Sequence, residues 1–133
     1  MSARRISLIT IVVADYDEAI AFYCDKAGFA LVEDTPLEAG KRWVVVSPGE
    51  ASSGVLLARA DGAAQAERIG EQTGGRVGFF LETDDFARDH AAMTARGVRF
   101  VREPTQASYG IVAVWEDLYG NRWDLIQPDR SVV

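Results

Sequence analysis

The chain states one pattern twice, and that duplication constrains its fold more than any other feature. The first copy, residues 6–36, reads ISLITIVV, ADYDEAIAFYCDKAG and FALVEDTP: an apolar strand, an amphipathic helix, a second strand and a turn. The second begins at Arg76 and reads RVGFFLET, DDFARDHAAMTARG and VRFVREP. Asp15 matches Asp85, Gly28 matches Gly97 and Pro36 matches Pro104, so the offset slips only from 70 to 68 residues. Two copies at so long a period predict a duplicated half-domain, not a solenoid.

Each half then continues in the same order. Residues 6–13 are apolar and β-branched, which favours a strand. Asp15 offers an N-cap oxygen with Glu18 three residues later, and Ala19, Phe22, Tyr23 and Ala27 recur at helical spacing until Gly28 ends the helix. Residues 29–32 read as a short strand broken by Asp34-Thr35-Pro36. Residues 43–46 and 55–58 are further strands on either side of the turn sequence SPGEASSG. Residues 61–75 are small, polar and glycine-flanked, a linker with room for one helical turn at 63–68. In the second half the strands fall at 77–83, 98–102, 111–115 and 122–127, with a helix from an Asp84 or Asp85 cap to Arg96. The predicted fold is α+β in a single domain, residues 1–133, made of two βαβββ repeats at about 6–60 and 76–128. Their sheets curve around a cavity, each with a helix on its other face.

Length and composition agree. At 133 residues and 48% hydrophobic, the chain suits one domain with a sizeable core. Fourteen basic residues against 20 acidic ones, with no basic run, argue against nucleic acid and against anionic membrane surfaces. The short apolar run near the N-terminus alternates with polar residues and is too short to span a bilayer. Cys24 is the sole cysteine, which excludes an intrachain disulfide and a thiolate metal cage and fits a reducing cytoplasm.

Three local patterns resemble the vicinal oxygen chelate superfamily, which includes glyoxalase I, the bleomycin-resistance proteins and the extradiol dioxygenases. They are V-x-D-Y-D-E-A-I-x-F-Y from Val13, the segment from Asp85 that ends in GV-x-F-x-x-x-P at Pro104, and D-x-x-G-N-R-x-D-L from Asp117. Metal-using members draw ligands from the first and last strands of each half. The resemblance maps those positions to Leu8, Gly78, Leu56 or Leu57, and Asp124. Only Asp124 carries a donor, so no metal and no cofactor are expected. His90, the one histidine, falls mid-helix on the outside of the sheet and has no partner for acid–base or nucleophilic chemistry.

The family register turns Leu8, Thr10 and Val12, Gly78, Phe80 and Glu82, and Arg122 and Asp124 towards the cavity, with Trp123 and Leu125 behind. Asp124 then has two readings: a carboxylate that orients a ligand, or an internal ion-pair partner of Arg122 or Arg42. Trp43 and Trp115 have either ligand stacking or core packing open to them. The expected ligand-binding set is Asp124, Glu82, Phe80, Thr10, Trp43, Trp115 and Arg122. The expected function is small-molecule binding by a glyoxalase/bleomycin-resistance-like protein in a homodimer. The alternatives are a metal-dependent lyase, isomerase or dioxygenase, a metal-free enzyme with Asp124 or Glu82 as base, and a regulatory module.

Overall fold

The computed structural model describes residues 3–129 and contains two compact units that meet at Ile69 and Gly70. In the first unit the order is β1 (Leu8–Val13), α1 (Tyr16–Ala21), β2 (Ala30–Pro36), β3 (Arg42–Ser47), β4 (Gly54–Arg59) and α2 (Ala63–Ala66). In the second it is β5 (Val77–Glu82), α3 (Phe86–Ala95), β6 (Arg99–Ala107), β7 (Gly110–Glu116) and β8 (Arg122–Pro128). Each unit is one four-stranded mixed sheet, ordered β1-β4-β3-β2 and β5-β8-β7-β6, with a parallel outer pair and antiparallel pairs elsewhere. Both are βαβββ, as the duplication predicts.

The two aspartates of the repeat start the two main helices. Asp15 accepts a 2.9 Å hydrogen bond from the Glu18 amide, and Asp85 accepts one of 3.1 Å from Arg88, so each satisfies an amide the first turn leaves open. Of the two cap candidates in the second half, Asp85 serves. After Ala21 the first helix widens into a π-turn, Phe22–Lys26, where the Ala27 amide reaches back to the Phe22 carbonyl. Gly28 then takes φ 84°, a conformation that costs an L side chain energy, and turns the chain into β2.

The two main helices, α1 and α3, each pack on their own sheet. In the first unit α1 packs against β3 and β4, and Ala19, Phe22, Tyr23, Ile11, Val13, Val44, Val46 and Leu57 are all buried. In the second, α3 packs against β8, and Phe86, Met93, Ala113, Trp115, Trp123 and Leu125 are buried. Each such aliphatic or aromatic side chain contributes roughly 1.5–3 kcal/mol of transfer free energy. The β7–β8 turn is held by Asp117, whose carboxylate accepts from the amides of Tyr119 and Asn121 at 2.9 Å each and from Asn121 Nδ2 at 2.8 Å.

Two strands run further than their prolines suggest. Asp34-Thr35-Pro36 does not break β2, and β6 passes through Pro104 to Ala107. Both are edge strands, where a proline's missing N–H faces no partner, and Pro104 sits in a bulge between Arg102 and Thr105. The turn after β2 instead lies at 37–41, where the Leu37 amide donates to the Lys41 carbonyl.

Candidate functional site

Paired strand residues project to the same side of a sheet, so the registers sort the predicted residues by face. In the second unit Phe80 pairs with Asp124, Glu82 with Ile126, Val114 with Asp124 and also with Arg102, and Glu116 with Arg122. Phe80, Glu82, Asp124, Arg122 and Arg102 therefore share the face that α3 does not cover, over a floor of Val112, Val114 and Ile126. Phe80 is 66% exposed, which is high for an aromatic ring, and Glu82 and Arg122 are exposed too.

Trp115 does not join them. It pairs with Trp123 on the opposite face, is 0% exposed, and stacks on Trp123 with ring centres 4.9 Å apart, while Phe79 stacks on the other tryptophan at 5.0 Å. The two tryptophans and Phe79 form the floor of the helix-covered core, so a ligand on the open face meets Phe80 and not Trp115.

In the first unit Thr10 pairs with Leu56, and Leu56 with Val45, on the face away from α1. Trp43, two residues before Val45 in β3, lies on that same face at 37% exposure. Leu57 points the other way into the core, which leaves Leu56 as the family-register residue on the open face.

Asp124 is half-buried, and burial pushes its carboxyl above the usual carboxylate range; the Arg102 guanidinium pulls it part of the way back. Among the described residues no ion pair within 4.0 Å includes Asp124. Arg42, one of its expected partners, is held by Asp34 at 2.7 Å and Asp17 at 2.9 Å. The Arg42 hydrogen bonds in turn hold the Asp34 carboxyl below its ordinary value.

Leu8, Leu56 and Gly78 offer no donor atoms to a divalent ion, and a resident ion needs about three protein ligands. No group of three or more His, Cys, Asp or Glu among the described residues could hold a metal. The donor set does not fit the metal of the family's enzymes. His90 packs between Phe86 and Phe100, ring centres 5.5 Å and 4.3 Å away, at the helix–sheet interface. Burial, with Asp25 adding to it, raises the Cys24 thiol, which disfavours the reactive thiolate.

Duplicated sheets, two acid-capped helices and a glycine-asparagine closing turn together define a glyoxalase-type architecture. The chain belongs to the Glyoxalase/Bleomycin resistance protein/Dioxygenase superfamily, whose family model matches residues 5–125. An uncharacterized protein of Shewanella frigidimarina is 57% identical over 121 residues, covering 90% of both chains. Among solved structures, UcmS2 superposes with a TM-score of 0.80 at 29% identity, over 94% of this chain and 98% of its own. TnmS3, an antibiotic binding protein from Streptomyces sp. CB03234, superposes at 0.74 with 30% identity over 97% and 99%.

Proposed function

We propose that this chain is a metal-independent small-molecule binder that takes its ligand on the open face of the second sheet. The observation that carries the reading is the pairing of an exposed aromatic ring, Phe80, with an incompletely compensated carboxylate, Asp124, on one sheet face. Support comes from the family positions Leu8, Leu56 and Gly78, which lack donors, and from the likeness to an antibiotic binding protein. Burial outweighs Arg102 at Asp124, so a cationic or strongly polar ligand group supplies charge compensation that the protein lacks. Phe80 adds apolar area and a cation–π attraction of roughly 0.5–2 kcal/mol. Glu82 and Arg122 border the site, and Thr10 and Trp43 offer contacts on the first sheet's own open face. We further propose a homodimer, and a reducing cytoplasm as the setting for a chain whose one cysteine cannot close a disulfide within it.

A melting screen over cationic, neutral and anionic aromatic compounds tests this, with zinc, nickel, manganese and iron added separately. The cationic compounds are expected to raise the melting temperature, and the metals are expected to leave it unchanged. Asp124→Asn is expected to weaken the best cationic compound about tenfold, about 1.4 kcal/mol. A rise of many degrees at stoichiometric metal overturns the metal-independent part. Equal shifts from cationic and anionic compounds overturn the role of Asp124.

The raised carboxyl of Asp124 also favours one second reading, a general base in a metal-free enzyme. That reading requires turnover of the bound compound, lost in Asp124→Asn while affinity stays.

A further inference from the structure

On the open face of the second sheet the side chains stand in rows that cross the strands. Phe80 pairs with Asp124, Asp124 with Val114 and Val114 with Arg102, so one row runs from β5 to β6 as aromatic ring, carboxylate, apolar spacer and guanidinium. Residues paired across neighbouring strands lie roughly 4.5–5.5 Å apart, which puts Asp124 and Arg102 about 10 Å apart at the backbone. Val114, between them, is 4% exposed and gives that gap an apolar bottom. The bulge between Phe100 and Arg102 is what brings Arg102 into the row.

Among the described residues neither charged end of the row has an ion-pair partner within 4.0 Å. Arg102 is near enough to draw the Asp124 carboxyl down, yet burial still outweighs it. Arg99 and Arg122, on the same face, share Glu116. Arg99 lies 3.8 Å from its carboxylate, and Arg122 stands directly opposite it on the neighbouring strand. Arg102 has the apolar Val114 opposite and is exposed. Its planar fork of N–H donors matches a carboxylate through two parallel hydrogen bonds.

We infer that the compound this face takes is a zwitterion, with its cationic group on Asp124, a carboxylate in the fork of Arg102 and an apolar body over Val114 beside Phe80. This ligand class rests on the reading of the face as a cation site and adds an anionic end to it. A simple cation on Asp124 leaves Arg102 facing a like charge, and a simple anion on Arg102 does the same to Asp124. Opposite charges at the two ends of one compound satisfy both residues at once.

The test compares 4-(aminomethyl)benzoate, a zwitterion at neutral pH, with its methyl ester, which keeps the ammonium and the ring and loses the negative charge. Titration of the ¹⁵N-labelled protein, followed at the amides of Phe80, Arg102, Val114 and Asp124, is expected to show the acid binding about tenfold or more tighter than the ester. The chain carries a net charge of −6, so its overall field favours the cationic ester and does not produce that preference. In Arg102→Gln the preference is expected to disappear, and in Arg99→Gln to persist. A wild-type protein that binds the ester as well as the acid overturns the anionic end and leaves the cation site standing, whether or not a variant folds. A preference that survives in Arg102→Gln, or falls equally in Arg99→Gln, overturns the assignment to Arg102. If neither compound gives a saturable shift at these amides, or both bind Asp124→Asn as tightly as wild type, the cation site itself fails and the zwitterion with it.

Discussion

Asp124 is a carboxylate whose surroundings disfavour its charge. Its folded pKa lies above the unfolded one because burial outweighs the nearby Arg102. Folding therefore favours the protonated acid, and the cost of the charge is absent below the ordinary value near 3.9 and complete above the raised folded value. Asp124→Asn removes that charge at constant shape. The variant is expected to melt higher than wild type at pH 7, with the difference closing as the pH falls through the carboxylate range. Differential scanning calorimetry at several pH values measures this, and a variant that melts several degrees lower at pH 7 would place Asp124 in an ion pair. Asp34 has the opposite sign: Arg42 holds its carboxyl down, so its contribution is present above the unfolded value and lost as pH falls through the folded one. Alternation grouped Phe80 with Glu82 in β5 and Arg122 with Asp124 in β8, and the family register was needed to put the two groups on one face, where the pairing of Phe80 with Asp124 has them. Arg102 escaped the same reasoning. Phe100 faces the core, so alternation sends Arg102 there too, but a bulge between them inserts one residue and turns Arg102 to the face of Asp124. Trp115 was ambiguous until its strand partner, Trp123, was known.

At the scale of elements, local signals with a chemical cause were the legible ones. Asp15, Asp85, Gly28 and the Asp117–Asn121 turn each do what their side chains or backbone freedom require. Signals that depend on a neighbour were not. Proline breaks an interior strand and is tolerated at an edge, and nothing within ALVEDTP or VRFVREP says which strand is outermost. The π-turn at Phe22–Lys26 adds a residue to the last turn, yet Phe22, Tyr23 and Ala27 all stay buried, so nothing in their spacing announces it. Capping gives a quantitative test. Asp85→Ala removes the side-chain acceptor for the Arg88 amide at the start of the ten-residue α3, which carries the buried Phe86 and Met93. It is expected to cost about 1 kcal/mol, or about 4 °C in melting temperature, and Asp85→Asn is expected to recover most of the loss. Urea denaturation of the two variants measures it. An unchanged midpoint in Asp85→Ala would mean that packing alone holds the first turn.

For the whole molecule the testable property is assembly. Each sheet by itself ends in two edge strands, and β2 is exposed along all seven residues, with Val32 at 62%. Its second half, Glu33, Asp34 and Pro36, carries the charges and proline that discourage edge pairing. Leu31 and Val32 lack that protection. A second copy of the chain is the partner we expect there, because two-fold symmetry counts every contact twice. Full burial of such a side chain contributes roughly 1.5–3 kcal/mol, and these two are already partly covered. Doubled by symmetry, the pair reaches only the lower end of the 4–15 kcal/mol or more that association costs, so backbone pairing and further apolar contacts have to supply the rest. Val32→Lys therefore removes apolar area twice and brings two like charges together near the axis. Light scattering is expected to give about twice the 14.5 kDa chain mass for wild type at high micromolar concentration, and a mass that falls towards 14.5 kDa for Val32→Lys. A wild-type protein that stays at 14.5 kDa under those conditions rules out the homodimer, and a variant that still doubles its mass moves the interface away from β2.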